Sequence, residues 1–99
     1  MKKAVQTCPI EKTATLLSDI WTMLIMHALL PGNKRFCELE RELSPISTRT
    51  LTLKLKRLEQ DGMIKKSNDG SYSATEKGKG LRTVERAMKR YGERWLVKA

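Results

Sequence analysis

The sequence has few of the residues from which catalytic and metal sites are built. It contains one histidine and two cysteines, and Cys8, His27 and Cys37 match no common metal-ligand spacing. There is no glycine-rich phosphate loop and no His-Glu-x-x-His motif, and His27 has no evident carboxylate or nucleophile partner. We therefore expect no catalytic residues, no metal and no cofactor.

Long apolar runs are missing as well. The longest apolar stretch, 20–30, contains His27 and is shorter than the roughly 20 residues that span a bilayer. The basic start of the chain is not followed by an apolar signal region. The two cysteines do not resemble a disulfide framework, which is typical of secreted proteins. These absences predict a cytoplasmic protein with no membrane partner.

Acidic residues are heavily outnumbered. Twenty lysines and arginines stand against 11 acidic residues, which gives a net charge of +9. Such an excess suggests a polyanionic partner, either nucleic acid or an anionic membrane surface. The chain is 39% hydrophobic and 31% charged, which is typical of a globular protein, and the 5% of aromatic residues imply a core of Leu, Ile, Met and Ala. Its length allows one domain, 1–99.

Apolar periodicity and capping residues predict five helices and one hairpin. Pro9 suits the first position of a helix whose N-cap is Cys8, and Ser18-Asp19, Ser47 and Thr75 can cap later helices. The second helix has a broad apolar face made of Ile20, Trp21, Leu24, Ile25, Ala28 and Leu29. The predicted helices are 9–17, 20–30, 37–43, 47–61 and 76–96, and the hairpin joins 63–67 to 71–75 around Asn68-Asp69-Gly70.

The third and fourth helices are joined by a tight Ser44-Pro45 turn, which is the outline of a helix-turn-helix. The hairpin follows directly and would be a wing. The predicted fold is therefore mainly α with a small β-hairpin, an α+β winged helix-turn-helix. Its predicted parts are an N-terminal arm 1–7, the helix-turn-helix 37–61, the wing 62–75 and a dimerisation helix 76–96.

The fourth helix is amphipathic. Leu51, Leu55 and Leu58 share one face and should pack inward, whereas the opposite face carries basic, hydroxyl and single apolar side chains. Arginine can bond two acceptors of guanine, and threonine or an apolar side chain can contact other base edges. The predicted DNA contacts are Ser47, Thr48, Arg49, Thr52, Leu53, Lys56, Arg57, Lys65, Lys66 and Asn68. The alternative is an ordinary solvated face, with lysines that discourage edge-to-edge aggregation of the hairpin.

Several short motifs occur together in a fixed order. They are Cys8-Pro9-Ile10, Trp21-Thr22, Leu30-Pro31-Gly32, Arg35-Phe36, Ile46-Ser47-Thr48-Arg49, Leu51-Thr52, Asp61-Gly62, Tyr72-Ser73-Ala74-Thr75 with Gly78, and Tyr91-Gly92-Glu93-Arg94-Trp95. In them the chain resembles the HxlR-type winged helix-turn-helix regulators, relatives of the MarR class. The sequence departs from that pattern in its short wing, in Ser18-Asp19-Ile20 where glycines are common, and in Cys37 where a Ser or Thr cap is typical.

The resemblance implies a homodimer that binds double-stranded DNA at a pseudo-palindromic operator, usually as a repressor and sometimes as an activator. It also implies that the first and last helices form the dimer interface, and the regular apolar stripe of the last helix independently favours this. The predicted interface residues are Ile10, Leu81, Val84, Met88, Tyr91 and Trp95.

Cys8 is a candidate sensor. A cysteine at a helix N-terminus lies at the positive end of the helix dipole, which favours the thiolate, and Lys2, Lys3 and Lys12 add positive charge. The resemblance implies that a cysteine here can respond to a small electrophile or oxidant. The alternative is an inert, half-buried capping residue.

Two further functions fit the basic composition. The winged helix could be a protein–protein interaction module whose basic face binds an acidic protein without specific DNA readout. The basic last helix could instead lie on an anionic membrane surface. Sequence-selective retention of DNA would separate the DNA-binding regulator from both of these alternatives.

Overall fold

The computed structural model describes residues 8–97. The predicted arm 1–7, with Lys2 and Lys3, lies outside the described residues. The elements are α1 (Pro9–Leu16), α2 (Ile20–Leu29), β1 (Lys34–Arg35), α3 (Phe36–Glu42), α4 (Thr48–Gln60), β2 (Ile64–Lys66), β3 (Ser71–Ala74), α5 (Glu76–Lys79), α6 (Leu81–Tyr91) and a π-helical turn (Gly92–Leu96). The fold is thus mainly helical with a small antiparallel sheet, as predicted.

Side-chain caps fix the starts of three helices. The Asp19 carboxylate accepts the backbone N–H of Thr22 at 2.9 Å, and the Ser47 hydroxyl accepts that of Thr50 at 3.0 Å. Thr75 Oγ1 accepts the N–H of Gly78 at 3.2 Å at the start of α5. Each bond satisfies a donor that the first turn of a helix leaves free, so the three predicted caps are confirmed.

Two glycines permit the reversals around the wing. Gly62 follows the C-cap of α4 with φ of +76°, and Gly70 closes the wing turn with φ of +88°. Both values lie in the left-handed region, where a side chain is unfavourable. The chain can therefore leave α4 directly into β2 and return in β3, as the sequence predicts.

The sheet has one strand more than predicted. Its order is β1-β3-β2, and both neighbouring pairs are antiparallel. Lys34 and Arg35 of β1 pair with Tyr72 and Ser71 of β3. A two-residue strand has no periodicity of its own, so only its long-range partner reveals it.

The core lies between α2, α3, α4, the sheet and the start of α6. Its fully buried large side chains are Ile25, Met26, Leu29, Leu39, Leu51, Leu55 and Met63. The prediction that Ile20 belongs to the buried face of α2 is wrong, because its side chain is 69% exposed. Ile20 is the first residue of α2 and its side chain faces away from the core, whereas Met23 and Met26 are buried.

Two helix boundaries differ from the predictions. The last helix is not continuous over 76–96: Gly80 separates α5 from α6, and the backbone becomes π-helical after Tyr91. Likewise, α3 starts at Phe36, one residue before Cys37, and its N-cap is Arg35, whose backbone N–H donates to Glu38 Oε1 at 2.7 Å. Cys37 therefore lies in the first turn of α3 and is not its cap.

Candidate nucleic-acid interface

A row of buried leucines holds α4 against the body of the protein. Leu51, Leu55 and Leu58 are all buried, as the sequence predicts. They meet Leu39 of α3 and Ile46 of the intervening turn within one apolar core. Burying one such side chain contributes roughly 1.5–3 kcal/mol, so the orientation of α4 is set by packing.

The opposite side of α4 is open. Arg49, Thr52, Leu53 and Lys56, which we name the reading face, are all exposed, and Leu53 is 54% exposed. Among residues 8–97, no acidic side chain pairs with Arg49 or Lys56. Their charges are free for an external partner, and no core residue depends on them.

Thr52 has a constrained role within the reading face. Its hydroxyl donates to the backbone carbonyl of Thr48 at 2.8 Å, a common arrangement within a helix. With its proton used in this way, the oxygen can still accept a bond from a base amino group, and the methyl group stays exposed. Thr52 can therefore act as an acceptor or as an apolar contact.

Ser47 and Thr48 are engaged inside the protein. The Ser47 hydroxyl caps α4 and also donates to Thr50 Oγ1 at 2.9 Å. The Thr48 hydroxyl donates to the Glu40 carboxylate of α3. These bonds fix the start of α4 relative to α3. Both side chains are also exposed, and their contact with DNA stays a prediction.

The flanks of α4 carry ion pairs. Lys54 Nζ lies 2.7 Å from Asp19 Oδ2, and Arg57 Nε lies 3.3 Å from Asp61 Oδ2. Partial burial raises the pKa of Asp19, but hydrogen bonds from Lys54 and from the Thr22 N–H outweigh it and leave that pKa below its usual value. Arg57 remains highly exposed and available to a phosphate, whereas Lys54 is already paired with a carboxylate.

The wing presents its two lysines differently. Lys65 and Lys66 are adjacent in β2 and so point to opposite faces of the hairpin. Lys66 Nζ lies 5.5 Å from the ring centroid of Tyr72, which holds its stem against the sheet. Lys65 and Asn68 are exposed and carry no such contact with a ring among the described residues.

The turn of the wing is held by its own side chains. Asp69 Oδ1 accepts the backbone N–H of Ser71 at 2.9 Å and its hydroxyl at 2.8 Å. These two bonds, the backbone one first, lower the pKa of Asp69, and the nearby charge of Arg35 acts in the same direction. The short turn is therefore an ordered structure with a fixed negative charge beside its lysines.

Arg35 is a candidate contact that the sequence reasoning missed. It is exposed and pairs with Ser71, so its guanidinium lies beside the wing turn, where a side chain at Gly70 would come within 3.3 Å of its Nη1. The charged pair Lys34-Arg35 between two predicted helices was the available signal for an edge strand. Arg35 adds a cation to the wing.

The predicted dimer residues fall into two groups. Ile10, Met88, Tyr91 and Trp95 are 51–80% exposed, and Leu96 and Val97 extend this surface. Leu81 is different: it is 6% exposed and packs in the core of its own domain, with Val84 half-buried beside it. Its assignment to the interface is corrected, because the stripe passes from the core to the surface along α6.

The cysteines and the histidine lie apart from the reading face. Cys8 is half-buried at the N-cap of α1, and Cys37 is exposed on α3. His27, expected to lack a carboxylate partner, bonds Glu85 through Nδ1 and thereby links α2 to α6. Within the described part of the chain, no group of acidic, histidine or cysteine side chains could hold a metal. No helix of residues 8–97 is long and apolar enough to cross a membrane.

The family model for HxlR-like helix-turn-helix proteins matches residues 16–99. The chain belongs to this family. Among curated relatives of this HxlR-like protein is the HTH-type transcriptional regulator YvaP of Bacillus subtilis, which is 35% identical and is covered over 91% of its length by 92% of this chain. The transcriptional regulator YodB of the same species is 33% identical, with 89% of this chain and 85% of YodB covered.

Solved structures of similar sequence confirm the fold. Quinone-bound YodB aligns with a TM-score of 0.82 at 34% identity, covering 90% of this chain and all of that one. The reduced form of the redox regulator HypR aligns with a TM-score of 0.81 at 32% identity, covering 88% of this chain and 92% of HypR. The HxlR-like chain is thus a DNA-binding transcriptional regulator of winged helix-turn-helix type, as the order of its elements predicts.

Proposed function

We propose that this HxlR-like protein is a cytoplasmic homodimer that reads a pseudo-palindromic operator and represses transcription by occupying it. The observation that carries the proposal is the reading face, whose Arg49 and Lys56 are exposed and unpaired within residues 8–97. The buried leucines behind it fix the helix that presents them. In this assignment Arg49, Thr52, Leu53 and Lys56 contact bases in the major groove.

Phosphate contacts come from around that face. Arg57 flanks α4, and Lys65, Lys66, Asn68 and Arg35 surround the wing. Such contacts supply affinity and register but carry no sequence information. Because the net charge is +9, binding should release many counterions, and the affinity should fall steeply as salt rises.

The dimer uses the exposed apolar surface that α1 and α6 leave uncovered. Ile10, Met88, Tyr91 and Trp95 are large, apolar and exposed, and burying them against a second copy would remove them from water. A twofold axis between the copies would place two reading faces about one duplex turn apart, which matches a pseudo-palindromic site.

We further propose that Cys8 responds to a small oxidant or electrophile. It stands at the N-terminus of α1, two residues before the proposed dimer residue Ile10. The solved relatives include YodB bound to a quinone and HypR described as a redox regulator. A modification at the N-terminal end of α1 would shift the dimer geometry and so change the spacing of the two reading faces.

The decisive experiment is selection of bound sites from a random pool of DNA duplexes, followed by titration with the selected site and with a scrambled one. We expect a pseudo-palindromic site bound at least 10³-fold more tightly than the scrambled duplex at physiological salt. Binding that depends on salt but not on sequence would contradict specific readout. Absence of any binding would favour the protein-interaction or membrane-surface alternative.

The sensor proposal has a separate test, a titration of operator binding with diamide, which takes two electrons and two protons as a pair of thiols becomes a disulfide. The native protein should lose the operator, and Cys8→Ser should keep it. Cys37→Ser is the control for the second thiol of the chain. If the native protein and Cys8→Ser respond alike, Cys8 is not the sensor.

A further inference from the structure

The turn between α1 and α2 meets α4 in a small polar cleft of about 280 Å³. We name it the junction cleft; Ser18, Asp19 and Thr22 line one side, and Lys54 and Arg57 of α4 line the other. It joins a proposed dimer helix to the helix that carries the reading face. The last turn of α1, with Thr15 and Leu16, lines the same cleft as these α4 side chains.

Helix α1 itself is weakly held. None of its residues is buried, and Ile10 at its start is 80% exposed. Only Leu16 and Leu17, at its end, pack partly against the core. Since two neighbouring side chains near one end fix a direction poorly, the angle of α1 depends on how the following turn is held.

Asp19 holds that turn with both of its oxygens. Oδ1 accepts the Thr22 N–H at 2.9 Å and thereby caps α2, and Oδ2 accepts Lys54 Nζ at 2.7 Å. The side chains of Asp19 and Lys54 are only about one-third exposed, at 36% and 32%. One carboxylate therefore joins the start of α2 to the middle of α4, three residues after α1 ends at Leu16.

We propose that the Asp19–Lys54 ion pair is a positioning link that sets the angle between α1 and α4, and with it the separation of the two reading faces in the dimer. This inference rests on the DNA-binding dimer proposed above. Lys54 is then a positioning residue, which serves DNA binding through Asp19. Lys56, two residues further along α4 and exposed, contacts the DNA itself.

The opposite assignment, in which Lys54 is a phosphate contact partly masked by Asp19, makes contrary predictions. Asp19→Asn removes a negative charge near the DNA but keeps a good helix cap, because asparagine caps as well as aspartate. If Lys54 were a phosphate contact, Asp19→Asn would free it and tighten binding. If the pair positions α4, Asp19→Asn weakens binding.

The experiment measures operator affinity by fluorescence anisotropy across a range of salt for the native protein, Asp19→Asn, Lys54→Gln, the double variant and Lys54→Arg. Asp19→Asn and Lys54→Gln should each weaken binding about fivefold, the upper end of what exposed ion pairs contribute. The double variant should be no worse than either single variant, because both remove one interaction. Lys54→Arg keeps the charge and should bind like the native protein.

The salt dependence supplies the matched control. Lys66→Gln, at a proposed phosphate contact of the wing, should lower the slope of log affinity against log salt by about 1, and Lys54→Gln should leave it unchanged. A slope that falls by about 1 in Lys54→Gln, or an affinity that rises in Asp19→Asn, overturns the inference and leaves the proposed function standing.

A second readout separates positioning from simple loss of stability. The same proteins are titrated with an operator in which one base pair is inserted between the half-sites, which changes their separation by about 3.4 Å. The native protein should discriminate strongly against the insertion, and Asp19→Asn and Lys54→Gln should discriminate less. Unchanged discrimination in both variants overturns the inference. A native protein that shows no sequence-selective binding overturns the proposed function and this inference together.

Discussion

Gly78 is the residue at which the smallest substitution should do the most damage. It is buried in α5, where this helix crosses the chain just before β2. A Cβ at this position would lie 2.2 Å from the backbone oxygen of Met63 and 3.0 Å from Met26 Cε. The methionine tip can move, but the oxygen already accepts the N–H of Thr75 at 3.0 Å. Relief of the clash therefore breaks or stretches the hydrogen bond between the Thr75 N–H and the Met63 carbonyl.

The size of the effect follows from three contributions. Overpacking a well-packed site costs roughly 1–3 kcal/mol, and contact with backbone places Gly78→Ala at the upper end of that range. Weakening the Thr75–Met63 bond costs about 1 kcal/mol more, and the better helix propensity of alanine returns about 1 kcal/mol. We expect a net loss of about 3 kcal/mol in the free energy of unfolding, which lowers the Tm by roughly 12–24 °C.

The assay is urea unfolding followed by circular dichroism, with Gly32→Ala as the matched control. Gly32 lies in the turn after α2, and a Cβ there would meet nothing within 4 Å. Gly32→Ala should change the free energy of unfolding by about 1 kcal/mol or less. A Gly78→Ala protein as stable as the native one would refute the packing of α5 against Met63, and with it the placement of the wing relative to α6.

Three further predictions concern the helix that carries the reading face and its surroundings. Leu55→Ala should lower the free energy of unfolding by about 2–5 kcal/mol, whereas the exposed Leu53→Ala should change it by less than about 0.5 kcal/mol; equal losses in urea would contradict the assignment of faces. Asp19→Asn should lower the free energy of unfolding at pH 7. Since the pKa of Asp19 in the folded protein lies below its usual 3.8, this deficit should shrink as the pH falls through that pKa. Unfolding curves with a deficit independent of pH would exclude the Lys54 pair as its cause. Lys66→Ala should weaken selected and scrambled duplexes by about the same factor in anisotropy titrations, and loss confined to the selected site would make Lys66 a base contact.

Local chemistry explains which parts of the fold the sequence predicts. The capping bonds of Asp19, Ser47 and Thr75 link residues three apart, and the buried face of α4 follows from helical spacing alone. The left-handed Gly62 and Gly70 likewise follow from turn chemistry within a few residues. Each of these features depends on neighbours in the chain, so a reading of the sequence finds them.

The missed features depend on contacts between distant residues. Strand β1 exists because Arg35 meets Ser71, and Lys54 is neutralised by Asp19, 35 residues earlier in the chain. Leu81 continues the same apolar stripe as Trp95, yet one is buried in its own domain and the other is 64% exposed. An apolar stripe on a helix indicates that its face is covered. It does not show whether the chain's own domain or a second copy covers it.

The central claim is that the reading face of α4 recognises bases, and Arg49 tests it most directly. The measurement compares the native protein, Arg49→Ala and Arg90→Ala, which removes the same charge from the exposed surface of α6, on the selected operator and on a scrambled duplex at one salt concentration. Arg49→Ala should cost about 1–3 kcal/mol on the operator and far less on the scrambled duplex, while Arg90→Ala should leave the ratio of the two affinities unchanged. If Arg49→Ala binds the operator as tightly as the native protein, or loses affinity equally for both duplexes, α4 does not read the sequence through this residue.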